Sequence, residues 1–269
     1  MLKQAFLITV LSCMGSSPVL AHVMWFPPGQ GGYKLWMSEF TETESEEYDP
    51  NGPIAVKAYD FSKNLIPTSI DNATVPISIV PGQTPAAITV AYDSGFWIRD
   101  DAEGIDVEHE MANYLGYLTP QEQEARGYDT FVHQLKYTQT LYDGFNPSEN
   151  FGLPLEIVPL SDPFTLNGGD TLPIKVLFGG QYVNDATILY LDTEQTVDSN
   201  GIAYIPIGSK GLQPIEVDYS TPGTANTPLT YYATSFTTGS NLSSTSVPEP
   251  SSLIGLGIIG LGLCLKKRC

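Results

Sequence analysis

Cysteine is missing from the whole stretch between residues 22 and 247; the three in the chain are Cys13, Cys264 and Cys269. That excludes disulfides, thiolate metal sites and cysteine catalysis from the body, so its core must hold it together unaided. Histidine is nearly as scarce, with only His22, His109 and His133. Basic residues are few. Of 12 Lys+Arg only four lie outside residues 22–247, and of 30 Asp+Glu only one, so that stretch carries a formal charge of about −21. Such a charge excludes nucleic acid as a partner and disfavours an anionic lipid face. It favours cations, although solubility alone accounts for an acidic surface. No nucleophile motif, phosphate loop, dinucleotide fingerprint or internal repeat is present, and the chain is read as a non-enzyme.

Long apolar runs are also absent, and the two short ones lie at the ends. Met1-Leu2-Lys3-Gln4, the apolar run Ala5 to Leu11 and the small-residue site Val19-Leu20-Ala21 have the three parts of a secretory signal. Cleavage after Ala21 makes His22 the new N-terminus. Val10-Leu11-Ser12-Cys13, which loosely resembles a lipoprotein box, is a competing site. At the other end a Ser/Thr-rich spacer (239–247) leads to Val247-Pro248-Glu249-Pro250. A Gly-spaced apolar run, Leu253 to Leu265, and Lys266-Lys267-Arg268 come next. The apolar run is short against the about 20 residues a bilayer needs, and its glycines weaken it as a helix. Pro-Glu-Pro, short apolar helix and basic tail in that order (248–269) resemble the PEP-CTERM signal handled by exosortases. The resemblance implies a Gram-negative-type exporter, often one making exopolysaccharide, and an exosortase-type sorting enzyme as partner. It also implies membrane contact through residues 253–265 before processing. The body is expected in the periplasm or on the outer cell surface.

The body reads as β. Ile54–Tyr59 alternates, and Val75–Val80, Ala87–Tyr92 and Leu135–Leu141 are short apolar runs bounded by turn formers. Leu155–Val158, Leu172–Leu177, Thr187–Leu191, Ile202–Ile207, Pro214–Tyr219 and Leu229–Phe236 continue the style at sandwich-like spacing. Asp198-Ser199-Asn200-Gly201 is a tight turn in which Gly201 supplies φ > 0. Residues 100–130 depart from the pattern: Thr119-Pro120-Gln121-Glu122 starts a short helix with a cap and a proline at its first turn. The expected architecture is mainly β: an N-terminal β-sandwich domain (22–150) with that helical insertion, then a second sandwich (151–238).

Position gives the few histidines their interest. A mature N-terminal His22 offers an imidazole nitrogen and a free α-amine, which together chelate one divalent ion of the nickel, copper, cobalt or zinc type. His133 precedes the strand-like Leu135–Leu141; facing His22 and sitting satisfied at a strand edge are equal readings. Glu108-His109-Glu110 reads as an exposed acidic loop or as a source of two ligands at most, since neither strand nor helix geometry makes all three converge. The acid run Glu42 to Asp49 lacks the pattern of a calcium loop and reads as a solvated loop.

Ala21-His22-Val23-Met24-Trp25-Phe26 resembles the opening of a bacterial periplasmic family that includes extracytoplasmic components of nickel and cobalt uptake systems. The resemblance continues in Tyr92-Asp93-Ser94-Gly95-Phe96-Trp97 and is clearest at Gly152-Leu153-Pro154-Leu155-Glu156-Ile157-Val158-Pro159-Leu160. Further on, Phe178-Gly179-Gly180-Gln181-Tyr182-Val183 fits an immunoglobulin-like or transthyretin-like sandwich. The resemblance implies a divalent metal ion, nickel or cobalt, as ligand and a transporter permease as partner. Trp36-Met37-Ser38-Glu39-Phe40 departs from the family's second-strand ligand pair, leaving Glu39 alone there. The alternative is a structural or adhesive protein of the cell surface or extracellular polysaccharide matrix. A copper monooxygenase would share the N-terminal histidine and finds no other support.

Overall fold

The computed structural model describes residues 22–28, 32–100, 105–107, 131–143, 145, 150–224 and 227–239. The expected helix near residue 119, His109 and both chain ends lie outside these residues.

The protein is mainly β. Its strands are β1 (Val23–Trp25), β2 (Tyr33–Ser38), β3 (Pro53–Tyr59), β4 (Leu65–Ile66), β5 (Thr68–Asp71) and β6 (Ile77–Pro81). Then come β7 (Ala87–Asp100), β8 (Ile105–Val107), β9 (Phe131–Tyr142), β10 (Leu155–Pro159), β11 (Thr171–Phe178) and β12 (Gln181–Val183). The chain continues through β13 (Thr187–Tyr190), β14 (Thr193–Glu194), β15 (Ala203–Pro206), β16 (Ile215–Thr221) and β17 (Leu229–Gly239). Each strand read from alternation is present, and β7 and β9 run well beyond their apolar cores.

Three sheets result. A nine-stranded sheet, ordered β14-β13-β16-β17-β9-β7-β3-β4 with β8 on β7, forms the middle. Its neighbours are antiparallel except β17 and β9, which run parallel from Leu229 opposite Val132 to Gly239 opposite Tyr142. The sheet thus takes strands from both sides of the expected boundary at residue 150.

Both of its faces are covered. On one, Tyr137, Leu141, Ile215, Val217 and Phe236 pack against Leu155 and Ile157 of β10, Leu172 and Ile174 of β11 and Ile205 of β15. On the other, Ile88, Val90 and Tyr92 of β7 pack against Met24, Leu35, Ile77 and Ile79 from the sheet β1-β2-β6-β5. Burying each such side chain stabilises by roughly 1.5–3 kcal/mol, so the covering sheets are held mainly by these contacts. Because of this double cover, acids and a lysine that alternate outward along β16 and β9 meet protein rather than water.

Candidate metal centre

The short N-terminal strand β1 lies over the nine-stranded sheet, with Val23 and Trp25 packed on Ala233 and Trp36. Trp25 meets Trp36 and Phe40 edge-on at 6.2 and 5.2 Å, and its indole N–H donates to Ser38 Oγ at 3.0 Å. One edge of β1 pairs with β2. The carbonyls of His22 and Met24, two residues apart, share an edge of the strand. Side chains rising from the sheet below serve them: Lys136 Nζ donates to His22 O at 2.5 Å and Ser235 Oγ to Met24 O at 2.6 Å. The backbone at His22 is therefore fixed.

Opposite His22 runs the acidic segment after β2. It is better anchored than a solvated loop. The amide of Glu46 donates to Met37 O at 2.8 Å, and the amide of Met37 donates to Ser45 Oγ at 3.2 Å. Tyr48, buried, donates its hydroxyl to Leu35 O and accepts from the Ile77 amide at 2.9 Å. Glu42 closes a turn, its carboxylate accepting from the Glu39 amide at 3.2 Å. Glu44 and Glu47 are exposed.

These anchors bring His22 Nδ1 within 2.7 Å of Glu46 Oε2, with the two side chains 34% and 41% exposed. A carboxylate oxygen of Glu42 joins them, so that the three ligand atoms lie within 4.8 Å of one another. One imidazole and two carboxylates make a donor set for a divalent transition ion, with charge to match. Two ligands bonded at about 2.1 Å to a tetrahedral ion stand roughly 3.4 Å apart. The 2.7 Å contact is a hydrogen bond that must open by a fraction of an ångström to admit one. Half-exposed side chains can do so.

Beneath this group lies a buried charge cluster. Lys136 is 4% exposed, Glu216 7% and Asp218 8%. Asp218 stands opposite Ala233, and Ala233 opposite Lys136; Glu216, two residues along β16, shares the face. Burial pulls the Lys136 ammonium down to about 8, against the opposing pull of Glu216, Glu46 and Asp218. Burial, reinforced by Asp218, pushes Glu216 up. Asp218 is also raised by burial, partly offset by a hydrogen bond from Tyr231 and by Lys136. Glu216 Oε1 and Asp218 Oδ1 have no hydrogen-bond partner among the described residues.

The other expected ligands fall elsewhere. Glu39 sits half-buried beside Glu42, and its charge is felt by Glu216. His133 and Lys136 are three residues apart on β9, which turns His133 to the opposite face. There its Nε2 contacts Asp93 Oδ1 at 2.9 Å and its ring stacks on Phe96, centroids 4.4 Å apart. A bulge in β7 between Asp93 and Gly95 aims that carboxylate, which also accepts from the Gly95 amide at 2.8 Å. Sequence reasoning singles out His22 but misses Glu42 and Glu46 as its companions, and Lys136, Glu216 and Asp218 altogether.

Two family comparisons match. One, described as a domain of unknown function (DUF4198), covers residues 46–221. The other, the PEP-CTERM protein-sorting motif, covers residues 246–268. Neither carries an assignment to nickel or cobalt uptake. No curated protein and no solved structure matches the chain.

Proposed function

The chain belongs to the DUF4198 family and ends in a PEP-CTERM sorting motif, and from that premise we propose that it captures a divalent transition-metal ion at His22. The sorting motif marks an exported, surface-sorted protein of Gram-negative-type bacteria, handled by an exosortase-type enzyme. The observation that carries the metal reading is the convergence of His22, Glu42 and Glu46 within 4.8 Å. Cleavage after Ala21 adds the α-amine of His22, which closes a chelate ring with Nδ1 and supplies a further nitrogen. Nickel and cobalt suit this mixed set, and copper or zinc compete for it. The protein then holds or concentrates the ion outside the cell, where a permease can receive it.

The test is calorimetric titration of the exported, processed chain, its His22 N-terminus verified by mass, with nickel, cobalt, copper and zinc. One-to-one binding is expected. Glu46→Gln and a version carrying one extra N-terminal residue should each weaken it at least about tenfold, or 1.4 kcal/mol. Absence of binding, or binding indifferent to both changes, retires the metal reading. A structural or adhesive surface protein then remains. The exposed apolar side chains Ile54, Phe61 and Leu65 around the β3–β4 edge favour that second reading.

A further inference from the structure

Lys136 is an expensive residue to keep where it is. A buried ammonium is tolerated only with counter-charges and hydrogen bonds. The acidic groups that pull on it are Glu216 and Asp218 on β16 and Glu46 above, and of these Glu216 is itself pushed toward its neutral form by burial. None of them forms a close ion pair with Lys136 among the described residues. Its ammonium instead meets the His22 carbonyl at 2.5 Å and the Met37 thioether at 3.5 Å. The carboxylates therefore stabilise the charge from a distance and leave its N–H groups for β1 and β2.

The edge of β1 that carries the His22 and Met24 carbonyls is capped by Lys136 from β9 and Ser235 from β17. Of the two, only Lys136 reaches the residue whose side chain faces Glu46. It also draws on Glu46 electrostatically, so it favours both halves of the His22–Glu46 contact at once. We propose that Lys136 is the positioning residue of the His22 centre: by holding the His22 carbonyl and attracting Glu46, it aims the imidazole Nδ1 toward the carboxylates. This rests on the metal reading for its purpose, but the positioning itself exists without an ion.

The test uses the full exported chain, its three histidines labelled for NMR and the His22 signals assigned with His22→Asn. In metal-free Lys136→Met, the His22 imidazole signals are expected to move toward those of free imidazole while the His133 signals stay. Nickel binding, by titration calorimetry, is expected to weaken about tenfold or more, the loss of roughly one well-made contact. Phe236→Ala, which loosens the core on the opposite face, should leave the His22 signals in place; a general loss of stability thus does not imitate the effect. Should Lys136→Met fail to fold, Lys136→Met with Glu216→Gln, which removes two buried ionisable groups together, takes its place. Unmoved His22 signals in the folded variant overturn the proposal. Moved signals in a protein whose parent binds no nickel retire the metal reading and leave the positioning standing. Moved signals with nickel affinity intact overturn the claim that positioning serves the ion.

Discussion

Phe236→Ala tests whether the nine-stranded sheet unfolds as one unit. Phe236 is fully buried on β17, in the cluster that joins Tyr137 and Leu141 of β9 to Leu155, Leu172 and Ile215. Truncating a buried Phe costs about 3–5 kcal/mol, from lost transfer energy and the cavity left behind. For a protein of this size each kcal/mol lowers Tm by about 2–4 °C, giving a fall of roughly 6–20 °C. The three tryptophans, Trp25, Trp36 and Trp97, all precede residue 150. Tryptophan fluorescence therefore reports the first half of the chain and the seating of Trp25 and Trp36 on Ala233 of β17, while the substitution sits in the second half. Urea unfolding followed by fluorescence and by far-UV circular dichroism should shift to the same lower midpoint by both probes. A fluorescence transition that stays at the parent midpoint while the dichroism moves would refute the reasoning and favour two independent units meeting at residue 150.

Single contacts yield three further outcomes. Glu216 is raised in the folded state; that state therefore holds a proton the unfolded chain has released above the ordinary glutamate value of 4.5. Its contribution to stability is present below that pH and lost as pH climbs toward the folded value, so metal-free Glu216→Gln should gain Tm relative to the parent as pH climbs from about 5 to about 8, a trend absent if Glu216 were solvated. Tyr48→Phe strips the Leu35 carbonyl and the Ile77 amide of their shared hydroxyl and should cost about 1–3 kcal/mol in urea unfolding. Gly201→Ala meets φ +70° and the Tyr182 hydroxyl directly over the new methyl; a loss of at least about 1 kcal/mol is expected in the same assay, and a neutral result would mean that the 198–201 turn can relax.

Strand positions are legible in the sequence because alternation and turn formers are local. Gly201 is legible for the same reason, and the structure gives it φ 70° as that turn requires. The illegible features depend on partners distant in sequence. Ile215-Glu216-Val217-Asp218-Tyr219 has the pattern of a strand with acids toward water. Nothing within it tells that β1, some two hundred residues earlier, lies nearby over the same sheet. Lys136 hides for the same reason inside an alternating strand. Glu42 and Glu46 escape notice because an acid run without a calcium pattern is ordinarily solvent-facing. Their position is set by Ser45 and Tyr48, whose hydrogen bonds to β2 and to Ile77 no spacing rule displays. The parallel pairing of β17 with β9 also joins segments far apart, and periodicity is silent on which strands become neighbours.

That pairing has a mechanical meaning. The sorting motif lies beyond β17, so any tether fixed at the C-terminal end pulls on Gly239, the last residue of a central strand. β17 is clasped along its length by β9 on one side and by β16 on the other. A load along the strand axis strains both ladders in shear, many hydrogen bonds together, instead of peeling an edge strand one bond after another. A surface protein held this way is fastened by the part of its sheet that resists pulling best.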